Sequence, residues 1–177
     1  ALMELQASRL RARVSPTGEP VLLLDQPRGR WDHVLIRRGL AALERAEALG
    51  GGVFTLQAAI AACHARARTA AETDWARIAA LYGELARVTS SPVVELNRAV
   101  AVSMAEGPAA GLALVDALTA TGALADYHLL PSVRGDLLLK LGRREEARAE
   151  LELAASLTRN ERERALLLAR AAACAAP

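Results

Sequence analysis

Apolar residues recur along most of this chain every three to four positions, the period of one face of an α-helix, and no stretch alternates with the period of a strand. The segment 31–49 shows the pattern plainly. Ile36, Gly39, Leu40, Leu43 and Ala46 fall on one side, with Arg37, Arg38, Glu44 and Arg45 mostly opposite. The same reading predicts a helix over 1–14 and seven more over 54–68, 74–88, 92–106, 108–121, 126–141, 143–157 and 160–174. Between them lie SPTGEP, residues 15–20, the triple glycine Gly50 to Gly52, and turns of a few residues. Val21 to Leu24 is read as a short extended segment. Connections this short force neighbouring helices antiparallel. Thr73 or Asp74, Ser91 and Asn160 are placed to cap helix starts, and Pro92 and Pro108 stand just inside them. The fold class expected is all-α, about nine helices, with antiparallel hairpins stacked as a solenoid. The expected organisation is one helical domain over 1–177: an N-terminal helix and turn over 1–30, a first hairpin over 31–73, and repeat-like hairpins over 74–177.

An internal repeat supports the last part. PVVELNRAVAVSMAEGPAAGLALVDAL aligns with YHLLPSVRGDLLLKLGRREEARAELELAASL, which puts Gly107 on Gly142. In the second copy Gly135, Leu138, Gly142, Ala147, Leu151 and Ala154 follow the alternation of small and large residues found in tetratricopeptide repeats, where small side chains let paired helices approach. Pro131 and Arg159 depart from that pattern. Gly135 and Ala147 are expected at a close helix crossing.

Composition narrows the picture further. The 177 residues are 53% hydrophobic but only 3% aromatic, so the core must be built from Ala, Leu and Val. The apolar runs are too short and too interrupted by charge for a membrane span, which leads to the expectation of a cytoplasmic protein with no membrane partner. Cys63 and Cys174 are far apart and sit in no metal-ligand spacing, in keeping with a reducing compartment. The formal charge is +2, and Lys140 is the single lysine. Arginines alternate with acids along the helices. The densest group, Arg9, Arg11, Arg13, Arg28, Arg30, Arg37 and Arg38, reads as a solvated face, and no direct DNA contact is expected.

Candidate chemistry is sparse. His33, His64 and His128 lie on three different helices without a metal motif, and there is no nucleophile elbow, phosphate loop or dinucleotide fingerprint. No catalytic residue, cofactor or metal site is expected, and the chain is not expected to be an enzyme. His64, in QAAIAACHA, reads as a core histidine hydrogen-bonded to a neighbouring turn. Trp75 and Tyr82 share one helix face and read as core. Asn97 and Arg98 follow Val93, Val94 and Leu96, and either line a groove or bond between helices.

The segment LLLDQPRGRWD, residues 22–32, interrupts this regularity. Pro27 and Gly29 make it a turn, yet it carries Asp25, Gln26, Arg28, Arg30 and Trp31 directly before a helix expected to open at Trp31. Together with LQAAIAACHA, TDWARIAALYGEL, SPVVELNRAVAV and YHLLPSVRGDLLLKLGR, in that order, it resembles the C-terminal tetratricopeptide-like extension of a group of extracytoplasmic-function RNA polymerase sigma factors. In that family a D-Q-D-R-S-x-W-D segment introduces the helical domain. Asp25, Gln26, Arg28, Trp31 and Asp32 keep the pattern, while Pro27 and Gly29 depart from it. The resemblance implies a regulatory domain whose partners are the sigma core and RNA polymerase, with the motif at the joint between core and repeats. The sigma core itself is missing, so the chain is expected to be a fragment of a longer protein. Two roles for the motif stay open: a structural clasp, with Trp31 buried and the polar residues holding the turn, or a contact surface, with Asp25 and Gln26 facing outward. A stand-alone tetratricopeptide-like adaptor that grips a peptide is the rival reading, disfavoured by the small number of Asn and Lys residues available to a groove.

Overall fold

The computed structural model describes residues 1–18 and 21–174. Among them are nine α-helices and no β-strand. The contacts group the chain into two compact units, 1–89 and 90–177. The first holds α1 (Leu2–Ala7), α2 (His33–Ala48), α3 (Val53–Arg66) and α4 (Trp75–Thr89). The second holds α5 (Pro92–Glu106), α6 (Pro108–Ala120), α7 (Leu129–Lys140), α8 (Arg144–Leu157) and α9 (Glu161–Ala173). Within each unit consecutive helices pack in pairs, and in the first unit α1 also packs on α3. Because α4 packs on α3, the array of hairpins expected from residue 74 divides at Ser90.

Local chemistry explains where the helices stop. α1 is half the expected length because the Ser8 hydroxyl bonds back to the Leu5 carbonyl at 2.7 Å, after which the chain tightens into a 3-10 turn over Leu10–Ala12. α2 starts two residues later than expected. The Asp32 carboxylate takes the N–H groups of Val34 and Leu35 at 2.9 and 3.0 Å, so Asp32 is the cap and Trp31 precedes the helix. Asn160 caps α9 in the same way, and Asp74 accepts from the Arg77 N–H at 2.8 Å. Ser91 makes no side-chain cap, and the start of α5 rests on Pro92 in the first turn. α7 begins at Leu129, not at 126, which leaves Pro131 in its first turn, where no N–H is needed. The turn expected over 15–20 has Gly18 at φ +85°, while Glu19 and Pro20 lie outside the described residues.

The core of the second unit is aliphatic. Leu96, Ala99, Leu112, Val115, Leu137, Leu138, Ala147, Leu151 and Ala154 are all buried in one cluster. Gly107 and Gly142 turn α5 into α6 and α7 into α8 with φ of +103° and +77°, a region open to glycine at little cost. Gly135 lies against α8 as expected. A Cβ there would meet the Ala147 carbonyl at 3.2 Å and Leu151 Cγ at 3.0 Å. A tighter crossing, unforeseen in the sequence, joins α5 to α6: a Cβ on Gly111 would lie 2.4 Å from Ser103 Cβ and 2.8 Å from the Ala99 carbonyl.

Candidate functional site

The DQPRGRWD segment folds as two 3-10 turns, Leu23–Asp25 and Arg28–Arg30, with Gln26 and Pro27 extended between them. Leu23 therefore turns where an extended run was expected. Trp31 follows with its N–H bonded to the Arg28 carbonyl at 3.0 Å, and the Asp32 N–H ties the segment to the Ser8 carbonyl at 2.9 Å. The Trp31 side chain is 3% exposed and packs in a cluster with Ala12 and Ile36, flanked by Leu23, Leu40 and Ala65. One indole thereby joins the N-terminal segment, α2 and α3. Burying it contributes about 4–6 kcal/mol at ordinary transfer values, from about 150–250 Å² of surface.

The polar members separate. Asp25 is exposed. Gln26 is buried, as the clasp role requires and the contact-surface role does not, and its amide donates to the Val21 carbonyl at 3.1 Å while Oε1 has no partner. Gln26 is thus part of a clasp. Asp32 acts as the helix cap, and its two N–H donors, first Leu35 and then Val34, hold its carboxyl below the usual carboxylate range. Asn97 and Arg98 belong to α5 in the other unit. Asn97 is exposed, and Arg98 pairs within its own helix with Glu95 at 3.0 Å, not between helices.

Arg28 is the residue that composition misjudged. Its guanidinium lies 4.1 Å from the centre of the Trp31 ring, and none of its three nitrogens is reached by solvent or has a hydrogen-bond partner. Arg9 lies over the same ring at 5.7 Å and bonds to the Gln6 side chain. Burial lowers the pKa of both arginines. This part of the arginine group is shielded, not solvated. His64, on α3, is buried as expected, but its Nδ1 lacks the hydrogen bond that was expected for it. It meets Trp75 edge to face at 5.2 Å. Burial, and after it the charges of Arg28 and Arg9, push its pKa down to about 4, so the imidazole is neutral near pH 7. Tyr82 is only half-buried.

Two recesses open beside the motif. One, of about 310 Å³, is lined by Arg28, Trp31, His33, Ala65, Arg66 and Arg68 among others. The second, of about 630 Å³, is lined by Arg11, Gly29, Arg30, Trp31 and Asp32. Among the described residues no three His, Cys, Asp or Glu side chains converge as metal ligands would, and no helix is long and apolar enough to cross a membrane.

Residues 1–47, which carry the whole motif and most of α2, match a family of unknown function, DUF6596. Uncharacterized protein R00370 of Rhizobium meliloti (strain 1021) is 46% identical over 168 residues. That alignment takes in 94% of this chain and 39% of the relative, so the chain spans well under half of the curated protein it matches. No solved structure is significantly similar to the chain.

Proposed function

We propose that this chain is the regulatory C-terminal extension of an extracytoplasmic-function sigma factor, a non-catalytic helical domain that adjusts sigma activity in transcription initiation. The observation that carries the reading is the D-Q-x-R-x-x-W-D arrangement of Asp25, Gln26, Arg28, Trp31 and Asp32, set directly before a helical array. Its geometry supports a joint: Trp31 binds three segments together, Gln26 and Asp32 fix the backbone on either side, and Asp25 is left exposed. The clasp and contact roles are therefore divided among the motif residues. The partners on this reading are the sigma core and RNA polymerase, in the cytoplasm, with no direct DNA contact by the domain. The near-neutral charge and the scarcity of stacking aromatics support that last point.

The test is run on a longer protein that carries this extension. Purified with RNA polymerase, it should transcribe its promoter at a rate that changes several-fold when the extension is removed or when Asp25→Arg is introduced, with folding intact. If the polymerase neither binds the longer protein nor responds to these changes, the reading fails. Capture of a short peptide by α5 to α9 alone, lost on Asn97→Ala, would favour the adaptor instead.

A further inference from the structure

We propose that the recess beside Arg28 and Trp31 is a binding site for a small phosphate-type oxyanion, held by Arg28, Arg66 and Arg68. Three observations converge on it. The recess is lined by three arginines and His33 and by no acidic side chain. Arg28, which lines it, keeps three shielded guanidinium nitrogens without any partner, an arrangement that costs free energy until an acceptor arrives. Arg9 adds a second cation over the same indole, and His64, 8% exposed with Nδ1 unpartnered, is felt electrostatically by both arginines. Two acids close in sequence to these arginines accept backbone N–H groups. Asp32 caps α2, and the Glu72 carboxylate takes the Arg68 N–H at 3.1 Å.

The chemistry selects the occupant. Guanidinium groups bind phosphate and carboxylate oxygens through paired N–H donors, and three of them match a dianion better than a single carboxylate. At about 310 Å³ the recess is at the small end of ligand sites, large enough for a phosphate monoester and too small for a length of peptide. Arg28 lines the space but its nitrogens are shielded, so binding requires its side chain to turn on the Trp31 face until they reach an anion there. Gly29 leaves the rim open, since a Cβ at that position would meet nothing within 4 Å. The inference does not depend on the sigma-factor reading.

The experiment is titration of the 177-residue chain with inorganic phosphate, against sodium chloride at matched ionic strength, followed by melting temperature and by the His64 imidazole resonances. Phosphate should raise the melting temperature saturably and raise the His64 pKa, while chloride should do neither. Arg28→Met, which keeps the contact with Trp31, and the exposed pair Arg66→Met with Arg68→Met should each weaken phosphate binding by about tenfold or more. A phosphate monoester such as glycerol phosphate, tried in parallel, should bind at least as tightly as the free ion. Equal responses to phosphate and chloride would overturn the proposal, as would unchanged affinity in the folded Arg66 and Arg68 double variant. An acidic peptide that binds through Arg28 where phosphate does not would replace the small oxyanion with a protein partner, which also overturns it.

Discussion

The two compact units treat buried polarity in opposite ways. In the second, no described side-chain nitrogen or oxygen is shielded without a hydrogen-bond partner, and partly exposed ion pairs link its helices. Arg134 on α7 bonds to Asp116 on α6 at 2.7 Å and to Glu150 on α8, and Arg170 on α9 bonds to Asp136 on α7 at 2.7 Å. In the first, Gln26, Arg28, Trp31, His64 and Thr73 all keep shielded atoms without partners. Both are built from the same aliphatic, arginine-rich alphabet, so composition does not cause the difference. A repeat that only has to stack can satisfy every group internally. On the oxyanion proposal, the segment beside Arg28 keeps part of its hydrogen-bonding capacity unspent for a ligand, at a cost in stability.

Trp31→Ala offers the strongest way to break this comparison. It removes a large side chain shared by three segments of the first unit and should cost about 3–5 kcal/mol, a large fraction of the roughly 5–15 that a domain has. Chemical denaturation followed by circular dichroism should show the loss confined to one transition, with the second unit unfolding as in the wild type. Loss of both together would mean that the units do not differ in the way proposed.

Next in size is the acid response of His64. Its pKa is about 4 when folded and near 6.5 when unfolded, so between those values the unfolded chain binds more protons. Stability that is complete above pH 6.5 should therefore fall as the pH drops toward 4, by at most about 3 kcal/mol. His64→Phe should flatten that slope. An equal slope in the variant would place the effect elsewhere.

The glycine crossings sharpen the comparison from the other side. Gly111→Ala forces a methyl group to within 2.4 Å of Ser103 Cβ and should cost about 1–3 kcal/mol through overpacking. Gly135→Ala meets its nearest atom at 3.0 Å, on the Leu151 side chain, and should cost less. Melting temperatures of the two variants check the order.

Much of the fold was legible because helical periodicity and turn residues act locally. The expected and observed limits of α5 coincide, and those of α6, α8 and α9 agree to within a residue at each end. Two of the errors came where a side chain bonded its own backbone. Ser8 ends α1 early, and Asp32 caps α2, so the helix starts after Trp31 and not at it. The Gly135 crossing followed from the repeat pattern, whereas Gly111 aligns with Glu146, which is not one of the pattern's small positions. At the site, the motif residues and the burial of Trp31 were readable. The shielding of Arg28 was not, because alternation of charge says which residues are polar and not which of them tertiary packing covers. Arg66 and Arg68 meet Arg28 only after α3 has packed beside the motif.

The smallest expected effect is the most informative one, because it sets two arginines against each other. Arg134→Met removes a cation that holds two carboxylates from neighbouring helices, and should cost about 1–2 kcal/mol, the usual range for hydrogen bonds to charged groups that are partly screened by water. Arg28→Met removes a cation with no hydrogen-bond partner. The lost attraction to the Trp31 ring, about 0.5–2 kcal/mol, is offset by relief of the desolvation of its charge, and the methionine still covers the indole. The net change should be within about 0.5 kcal/mol, and an increase in stability is an acceptable outcome. Urea denaturation of both variants, in chloride buffer without phosphate, measures the difference directly. A loss at Arg28 as large as that at Arg134 would mean that Arg28 is already satisfied in the folded chain, and the contrast between the two units would disappear with it.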